Sequence, residues 1–348
     1  MKLIDRLVRP HLRDLEPYSS ARDEYTGKEG IFLDANENPF GSVVAGEWNR
    51  YPDPYQQDLK TAISALKGIK SDRIFLGNGS DEPIDLLTRA FCEPGKDNIL
   101  IFPPTYGMYQ VSAGIHNVPV KKVYLTRDFQ LDVAGARQTW DEHTHLTYVC
   151  SPNNPTGNKF DRDHIVELLR HAPGYVVVDE AYIDFAPEDS FVRLVDHYEN
   201  LIVLQTFSKA WGMAAFRLGM AFAHPDVVRL LNRIKAPYNL SGLVQKQALL
   251  ALLNGTKMKN WVSQLNEERE RLATALTRLA YVQHVHPSDA NFLLVRFDES
   301  HRVFSYLLEQ HIIVRDRSKT PLCEGCLRIS VGTPEENDRL LFALEAFN

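Results

Sequence analysis

Apolar and polar positions alternate in regular blocks along the first two thirds of the chain. Short apolar runs predict buried strands, and the amphipathic stretches between them predict helices, including residues 81–91, 161–171 and 225–235. This alternation predicts an α/β fold whose large domain has a mostly parallel seven-stranded sheet covered by helices. The predicted strands are residues 73–76, 98–102, 120–124, 146–150, 175–179, 201–205 and 218–222.

The pattern changes after about residue 240, and this change predicts a second unit. A long amphipathic segment spans residues 243–280, and shorter strands are expected near 291–297 and 326–331. The segment before Ile31 is polar and irregular, so we expect an arm that packs against the second unit. The predicted parts are an N-terminal arm (1–30), a large domain (31–240) and a smaller α/β C-terminal domain (241–348).

Length, composition and charge narrow the class of protein. The 348 residues fit two domains at a prior of about 150 residues each. No apolar run approaches the roughly 18 residues that span a bilayer, and the charged N-terminal segment does not resemble a secretory signal. We therefore expect a soluble, cytoplasmic protein with no membrane partner. A formal net charge of -6, without a run of Lys or Arg, argues against nucleic acid as a partner.

The four cysteines do not suggest a disulfide framework in a chain of this length. Cys323 and Cys326 are close in sequence, but no second pair completes a zinc site. We therefore expect free thiols and no bound metal ion.

The stretch 203–220 carries the groups that a phosphorylated aldehyde cofactor requires. A predicted strand runs into Thr206, Ser208 and Lys209, and Arg217 follows eight residues after the lysine. The lysine amine can form an imine, the hydroxyls can bond phosphate oxygens, and the arginine fork can neutralise a dianion. A solvated Ser-Lys turn is the alternative, because such pairs are common.

A carboxylate stands at the predicted carboxyl end of the apolar strand YVVVD. Ligands of open α/β sheets bind at such ends. Asp179 can there pair with a protonated pyridine nitrogen and keep the ring able to accept electrons. Tyr182 is placed to bond the phenolic oxygen of the same ring. The alternative is that Asp179 only caps the next segment.

Two further loops that follow predicted strands supply candidates. In SPNNPTG (151–157), Asn154 is placed to donate to the cofactor phenolate, although such a loop is also ordinary turn chemistry. In PPTYGMY (103–109), Tyr106 is a candidate for stacking on the pyridine ring, and its alternative is a core tyrosine.

The sequence GNGSDE at 77–82 joins a strand to the start of a helix. Backbone amides at a helix N-terminus bind phosphate, and glycines let the chain approach closely. We therefore assign the amides of Ser80 and Asp81 to the cofactor phosphate. The glycine spacing differs from the dinucleotide-binding fingerprint, and Ser80 can also serve as a helix cap.

The order of these motifs resembles that of the fold-type I aminotransferases. Within that group, the segments LDANENPFG, RYPDPYQ, APYN, PSDANF, VRDRS and CLRISVGTPEEN resemble the histidinol-phosphate aminotransferase family across nearly the whole chain. The departures are Trp211 where Phe is usual, and Ala215 and Phe216 where Gly-Leu is frequent. The resemblance implies pyridoxal 5′-phosphate as cofactor, Lys209 as the Schiff-base lysine and a cis peptide bond before Pro155.

The resemblance also assigns residues to subunit and substrate contacts. It implies a homodimer in which Tyr51 reaches the cofactor phosphate of the neighbouring subunit. Arg328 is expected to bind the substrate carboxylate, with Arg315 beside it and both able to hold a substrate phosphate. Tyr18 and Asn36 are expected to complete the substrate pocket. The alternative for Arg315 is a surface ion pair with the aspartate that follows it.

The implied reaction transfers an amino group between L-histidinol phosphate and 2-oxoglutarate, giving imidazole acetol phosphate and glutamate in histidine biosynthesis. Lys209 acts as nucleophile and then as general base and acid, with ping-pong kinetics. Two alternatives share the cofactor: an aromatic amino-acid aminotransferase and a decarboxylase of a phosphorylated amino acid. A third, a cofactor-sensing module of a transcriptional regulator, is disfavoured because the arm is too short and not basic enough to read DNA.

Overall fold

The larger of two sheets is built from the seven apolar runs of the sequence. The structure, a computed structural model, describes residues 2–18 and 29–347. All seven predicted strands are present, which confirms the predicted α/β class. They are β1 (Ile74–Asn78), β2 (Asn98–Ile101), β3 (Val120–Lys122), β4 (Thr144–Cys150), β5 (Tyr175–Asp179), β6 (Leu201–Thr206) and β7 (Leu218–Phe222).

Strand direction in this sheet determines where the connecting loops meet. The order is β1-β7-β6-β5-β4-β2-β3. β7 pairs antiparallel with β1 and β6, and the remaining pairs are parallel. The carboxyl ends of the six parallel strands and the amino end of β7 therefore lie along one edge. Binding sites of open α/β sheets occur at this edge.

Helices cover both faces of the larger sheet. In β5, Val176 and Val178 belong to one hydrophobic core, whereas Tyr175 and Val177 belong to the core on the opposite face. A strand buried on both faces must be apolar at every position, which explains the run YVVV. The helices of this part of the chain are α1 (Leu3–Leu7), α2 (Pro10–Arg13), α3 (Gln57–Lys67), α4 (Asp81–Phe91), α5 (Met108–Ile115), α6 (Val133–Thr139), α7 (Arg162–His171) and α8 (Pro225–Ile234).

The smaller sheet is antiparallel and has two chemically different faces. Its order is β10-β11-β9-β8. Leu293, Val295 and Leu327 pack against helices of the C-terminal unit, whereas Leu294 and Cys326 pack against the core of the larger sheet. Strand alternation therefore turns Arg328 toward the larger domain. The strands are β8 (Val282–Val285), β9 (Phe292–Phe297), β10 (Arg315–Asp316) and β11 (Cys326–Ser330).

The segment predicted at 243–280 is two helices with a break at residues 253–254. Ala248, in the first of these helices, packs in the core of the larger sheet. That core therefore extends beyond the predicted boundary at residue 240. The helices of this part of the chain are α9 (Gly242–Leu252), α10 (Gly255–Leu276), α11 (Ser300–Glu309) and α12 (Pro334–Glu345).

The N-terminal arm packs against the large domain. Leu7, Val8 and Leu12 are buried in the core beside α4 and α8, and the Arg9 amide donates to the Ala90 carbonyl over 3.0 Å. The prediction that the arm lies on the small domain is wrong for these residues. Its few apolar side chains enter the same core. The polar residues between and around them obscure this pattern in the sequence. Residues 19–28 of the arm lie outside the described residues.

The cysteines are free and buried. Within residues 2–18 and 29–347, no three His, Cys, Asp or Glu side chains are grouped to hold a metal ion. In the same residues, no helix has the length and apolarity that crossing a membrane requires.

Candidate active site

One edge of the larger sheet brings together most of the residues predicted from the motifs. Six strands end there, and the antiparallel β7 begins there. Their loops carry Ser80 and Asp81 after β1, Tyr106 after β2, Asn154 after β4, Asp179 and Tyr182 at the end of β5, Thr206, Ser208 and Lys209 at the end of β6, and Arg217 before β7.

The Lys209 amine lies at the open side of this cluster. Its Nζ is 5.5 Å from the centroid of the Tyr182 ring. Burial lowers the pKa of Lys209 from its ordinary value, and the positive charges of Arg328 and Arg217 lower it further, while Asp179 opposes them. A lysine with a lowered pKa is more often neutral, and the neutral amine is the nucleophilic form.

The Asp179 carboxylate is buried below the lysine. Oδ2 accepts a hydrogen bond of 2.6 Å from the Tyr109 hydroxyl, and Oδ1 accepts one of 3.1 Å from the Ala181 amide. Burial raises the pKa of Asp179 to about 6, although both hydrogen bonds act to lower it. The bond to Ala181 is the capping contact considered as an alternative, and it leaves lone pairs of the carboxylate for a further donor.

Three polar side chains join the two domains beside the lysine. The Arg328 guanidinium donates to Asn154 Oδ1 over 2.5 Å, and Asn154 Nδ2 donates to the Tyr182 hydroxyl over 3.2 Å. Burial raises the pKa of Tyr182, so its hydroxyl stays protonated. The peptide bond before Pro155 is cis, as the resemblance implied.

A second group of side chains surrounds the start of α4. The Arg217 Nη1 atom donates to Ser208 Oγ over 3.3 Å, and Nη2 lies 3.5 Å from Asp81 Oδ2. Thr206 Oγ1 is 3.0 Å from Ser208 Oγ. Ser80 precedes the helix without a side-chain capping bond, so its hydroxyl does not serve as a cap. Hydroxyls, a guanidinium and helix N-terminal amides at one point form an anion site.

Two glycines allow this close arrangement. Gly79 has φ of +68°, and a Cβ there would overlap with the Arg217 guanidinium. A Cβ on Gly219 would overlap with the backbone of Gly79 and Ser80. Gly79 and Gly219 therefore let the helix start approach the arginine closely.

Tyr106 lies at the other side of the cluster. Its hydroxyl donates to Asp81 Oδ1 over 3.0 Å, and its ring meets the Tyr109 ring edge to face with centroids 5.6 Å apart. The ring is half-buried, so it is not the fully enclosed core tyrosine considered as an alternative.

The structure does not bring four predicted residues into the lysine cluster. Tyr18 is exposed, and no hydrogen bond joins it to the cluster among the described residues. Asn36 and Tyr51 line a separate cavity of about 1090 Å³, and the Tyr51 ring stacks on Tyr238 at 4.5 Å. Arg315 is exposed and lies directly opposite Arg328 in the smaller sheet.

Two residues near the site were missed in the sequence. Tyr109 follows Tyr106 by three residues, a helical spacing that places both on one side of the chain. Arg317 follows Arg315 by two residues, so strand alternation turns both to one face. The Arg317 Nε is buried and has no hydrogen-bond partner among the described residues. Burial lowers the pKa of Arg317, and Arg328 and Arg315 lower it further.

Comparison with known proteins decides the family. The model of the class I and II aminotransferases matches residues 31–344. The chain belongs to this family. A histidinol-phosphate aminotransferase of Cytophaga hutchinsonii is 54% identical over 344 residues, covering 99% of both chains. One of Parabacteroides distasonis is 49% identical over 345 residues, again 99% of both. These relatives confirm the resemblance found in the motifs.

Solved structures of this family share the fold. The histidinol-phosphate aminotransferase of Clostridium acetobutylicum has a TM-score of 0.80 at 24% identity, and the match covers 86% of this chain and 90% of that chain. That of Sinorhizobium meliloti, solved in complex with pyridoxal-5′-phosphate, has a TM-score of 0.80 at 24% identity, covering 97% and 96%. At this identity the likeness is one of fold.

Proposed function

We propose that this chain transfers an amino group between L-histidinol phosphate and 2-oxoglutarate with pyridoxal 5′-phosphate as cofactor. The observation that carries the proposal is the meeting of Lys209, Asp179 and the Ser208–Arg217 pair at one sheet edge. The full-length relatives bear the name of this activity.

The residues at this edge fit a phosphorylated pyridine aldehyde. The Arg217 guanidinium, the Ser208 hydroxyl and the amides of Ser80 and Asp81 would hold the phosphate. Asp179 would hold the ring nitrogen, because a buried carboxylate is stabilised by a cation. When bound, the cofactor supplies an aldehyde for a lysine amine and a ring that accepts electrons from the substrate Cα.

The remaining steps belong to side chains of the chain itself. Lys209 would hold the cofactor through its neutral amine and, once the substrate amine has displaced it, would move the proton from the substrate Cα to C4′. Tyr182 and Asn154, joined by a hydrogen bond, would donate to the phenolic oxygen of the ring. Tyr106 would stack on the ring face.

The substrate end of the site is positively charged. Arg315, Arg317 and Arg328 share the same face of the smaller sheet, and none forms an ion pair with a carboxylate among the described residues. Asp316, the aspartate that follows Arg315, instead accepts a hydrogen bond from the Ser318 amide over 2.8 Å. Arginines without carboxylate partners favour an anionic substrate, such as a phosphate ester or a dicarboxylate. This charge favours histidinol phosphate over aromatic amino acids.

Substrate comparison tests the reaction. Turnover of histidinol phosphate, phenylalanine and threonine phosphate should be measured with and without 2-oxoglutarate. We expect turnover of histidinol phosphate that requires 2-oxoglutarate. Faster turnover of phenylalanine would instead identify an aromatic aminotransferase. Release of carbon dioxide from threonine phosphate without 2-oxoglutarate would identify a decarboxylase.

The lysine assignment has a separate test. Lys209→Ala should abolish turnover and remove the pyridoxyl group that borohydride fixes to the wild-type chain. Lys259→Ala, a change of an exposed lysine in α10, is the matched control and should keep both. Equal labelling of the two variants would overturn the assignment.

The exposed apolar segment around residues 31–51 supports a homodimer. Ile31, Leu33, Phe40 and Val43 are almost fully exposed, and such a concentration of exposed apolar side chains in one segment favours an interface. The proposed partner is a second copy of this chain, in which Tyr51 completes the neighbouring phosphate site. Asn36 and Tyr18 would reach the neighbouring substrate pocket in the same way.

Complementation tests the shared site. Lys209→Ala and Tyr51→Ala are each expected to be nearly inactive as homodimers. After mixing and reassociation, a mixed dimer has one site with both wild-type residues, so about a quarter of wild-type activity should return. No recovery in a mixture that demonstrably contains mixed dimers would show that Tyr51 acts within its own subunit.

The proposal also includes the division into arm (1–30), large (31–240) and small (241–348) domains, and a cytoplasmic location. The smaller sheet and its helices form a core of their own between Leu272 and Leu344, which supports an independent C-terminal unit. Limited proteolysis should cut between the two cores before it cuts within either.

A further inference from the structure

Tyr109 lies on the buried side of the Asp179 carboxylate. The tyrosine is 0% exposed and the aspartate 1%. The hydrogen bond of 2.6 Å between them is completely enclosed. The Oδ2 atom of Asp179 therefore depends on this one donor among the described residues, since water is excluded there.

The Tyr109 ring is fixed by two other aromatic rings. It stacks on Tyr148 with centroids 4.6 Å apart and an interplanar angle of 13°. It also meets Tyr106 edge to face at 5.6 Å and 82°. One side chain thus contacts both the aspartate expected at the ring nitrogen and the tyrosine expected at the ring face. Its position determines how these two groups are oriented.

The hydrogen bond between Tyr109 and Asp179 favours a protonated phenol and an ionised carboxylate. Burial raises the pKa of Tyr109 well above its ordinary value, and Asp179 raises it further, so the phenol stays a proton donor. Burial also raises the pKa of Asp179, and the hydrogen bond from Tyr109 opposes that rise. Lys209 favours the carboxylate in the same way, whereas Asp81 disfavours it.

We propose that Tyr109 is a positioning residue, which holds Asp179 in one orientation and as an anion, ready for the nitrogen of the cofactor ring. The role toward the cofactor rests on the proposed function. The role toward the carboxylate is a property of the chain alone. The two parts can therefore fail separately.

Tyr109→Phe removes the hydroxyl and keeps the ring stack. Tyr148→Phe is the matched control, because Tyr148 is also 0% exposed and its hydroxyl bonds the Ile84 carbonyl at 3.4 Å instead of the aspartate. The primary measurement is a carbon-13 NMR titration of the Asp179 carboxyl in the full-length, cofactor-free protein, assigned with Asp179→Asn. It needs neither cofactor nor turnover.

We expect Tyr109→Phe to raise the pKa of Asp179 by about one unit or more, from the loss of one hydrogen bond to a charged group. The Tyr148→Phe variant should leave it unchanged. An unchanged titration in Tyr109→Phe, or an equal shift in both variants, overturns the proposal. If Tyr109→Phe does not fold, the wild-type protein must show a slowly exchanging Tyr109 hydroxyl proton that Asp179→Asn shifts, and its absence is the contrary result.

The loaded enzyme gives the second measurement. With pyridoxal 5′-phosphate bound, Tyr109→Phe should shift the pH titration of the visible absorption and lower kcat by about tenfold or more, with KM little changed. Loss of stability without these changes would indicate a purely structural role. Failure of the wild-type chain to bind the cofactor would refute the proposed function but would leave the NMR result on Asp179 valid.

Discussion

The Arg328 guanidinium and the Asn154 side-chain oxygen are joined by a hydrogen bond of 2.5 Å across the two domains. Arg328 belongs to β11 of the smaller sheet, and Asn154 belongs to the loop after β4 of the larger one. Under the proposed function, a substrate carboxylate that binds Arg328 would compete with this bond. Substrate binding would then be coupled to the orientation of an amide that also contacts Tyr182.

We predict that Arg328→Lys weakens substrate binding more than it slows the chemical step. Lysine keeps the charge but loses the planar fork that bonds two oxygens at once. The KM for glutamate should rise by about tenfold, with a smaller change in kcat, in steady-state assays. Arg339→Lys, in α12, is the control and should behave as wild type. An unchanged KM in Arg328→Lys would contradict the carboxylate assignment.

Removing the charge at position 328 should move the pH profile of cofactor uptake. The Arg328 charge lowers the pKa of Lys209, so Arg328→Met should raise it. Only the neutral amine attacks the aldehyde, so uptake accelerates as pH rises through this pKa. The variant profile should therefore shift to higher pH in rapid-mixing absorbance measurements. Arg271→Met, whose partners are Glu268 and Asp338, should leave the profile in place.

Asp179 should lower the stability of the cofactor-free protein at neutral pH. Burial raises its pKa from an ordinary 3.8 to about 6. The folded state therefore binds this proton more tightly than the unfolded state does. This contribution to stability is fully present at low pH and is lost as pH rises through the folded pKa. The two-unit rise corresponds to about 3 kcal/mol.

The Asp179→Asn variant isolates this effect. Its free energy of unfolding relative to wild type should increase by about 2–3 kcal/mol between about pH 4 and pH 7, although its turnover is lost. Urea unfolding at several pH values measures the difference. Glu180 also titrates, with a pKa raised by burial to about 7, but it is present in both proteins and cancels. Parallel pH curves for the two proteins would contradict the buried-carboxylate account.

The glycine that faces the helix start should not tolerate a side chain. In Gly219→Ala, the new Cβ would overlap with the backbone of Gly79 and Ser80. We expect a loss of about 1–3 kcal/mol in stability and weaker cofactor binding, because the amide of Ser80 must move. Gly107→Ala, where nothing lies within 4 Å of the new Cβ, should change stability by less than about 0.5 kcal/mol in urea unfolding.

Arg317 should contribute to the preference for phosphorylated substrates. Arg328 and Tyr182 both affect the pKa of its guanidinium. Its Nε atom has no hydrogen-bond partner among the described residues. Arg317→Met should raise the KM for histidinol phosphate by about tenfold and that for glutamate less. Arg271→Met is the control, because the Arg271 guanidinium is paired with Glu268 and Asp338. Equal effects of the two changes on histidinol phosphate would refute this role.

The sequence predicted the parts of the molecule in which local chemistry determines structure. The run YVVV identified a doubly buried strand, and the motifs after five of the six parallel strands marked one edge of the sheet. Two strands were missed for different reasons. The strand β10 has only two residues, Arg315–Asp316, and β8 carries polar residues among its apolar ones. Neither produces a periodic pattern of useful length.

Contacts of the site between residues far apart in the sequence could not be predicted from local motifs. Nothing in PPTYGMY tells which of its two tyrosines bonds Asp179 and which bonds Asp81, because that depends on where β5 lies in space. The same holds for the arm, whose Leu7 and Leu12 find a groove formed by distant helices. The environments of Tyr51 and Asn36 depend, under the proposed dimer, on a second chain.

The reversed direction of β7 constrains the length of one loop. The chain leaves β6 at Thr206 and enters β7 at Leu218 on the same rim, so both ends of the connection are anchored there. Inserting or deleting a residue between Lys209 and Arg217 would displace the Lys209 amine relative to the Arg217 guanidinium. The turn at residues 93–97, which precedes β2 at the opposite rim, is free of this restriction. Changes in loop length should therefore be tolerated on one side of the sheet and excluded on the other.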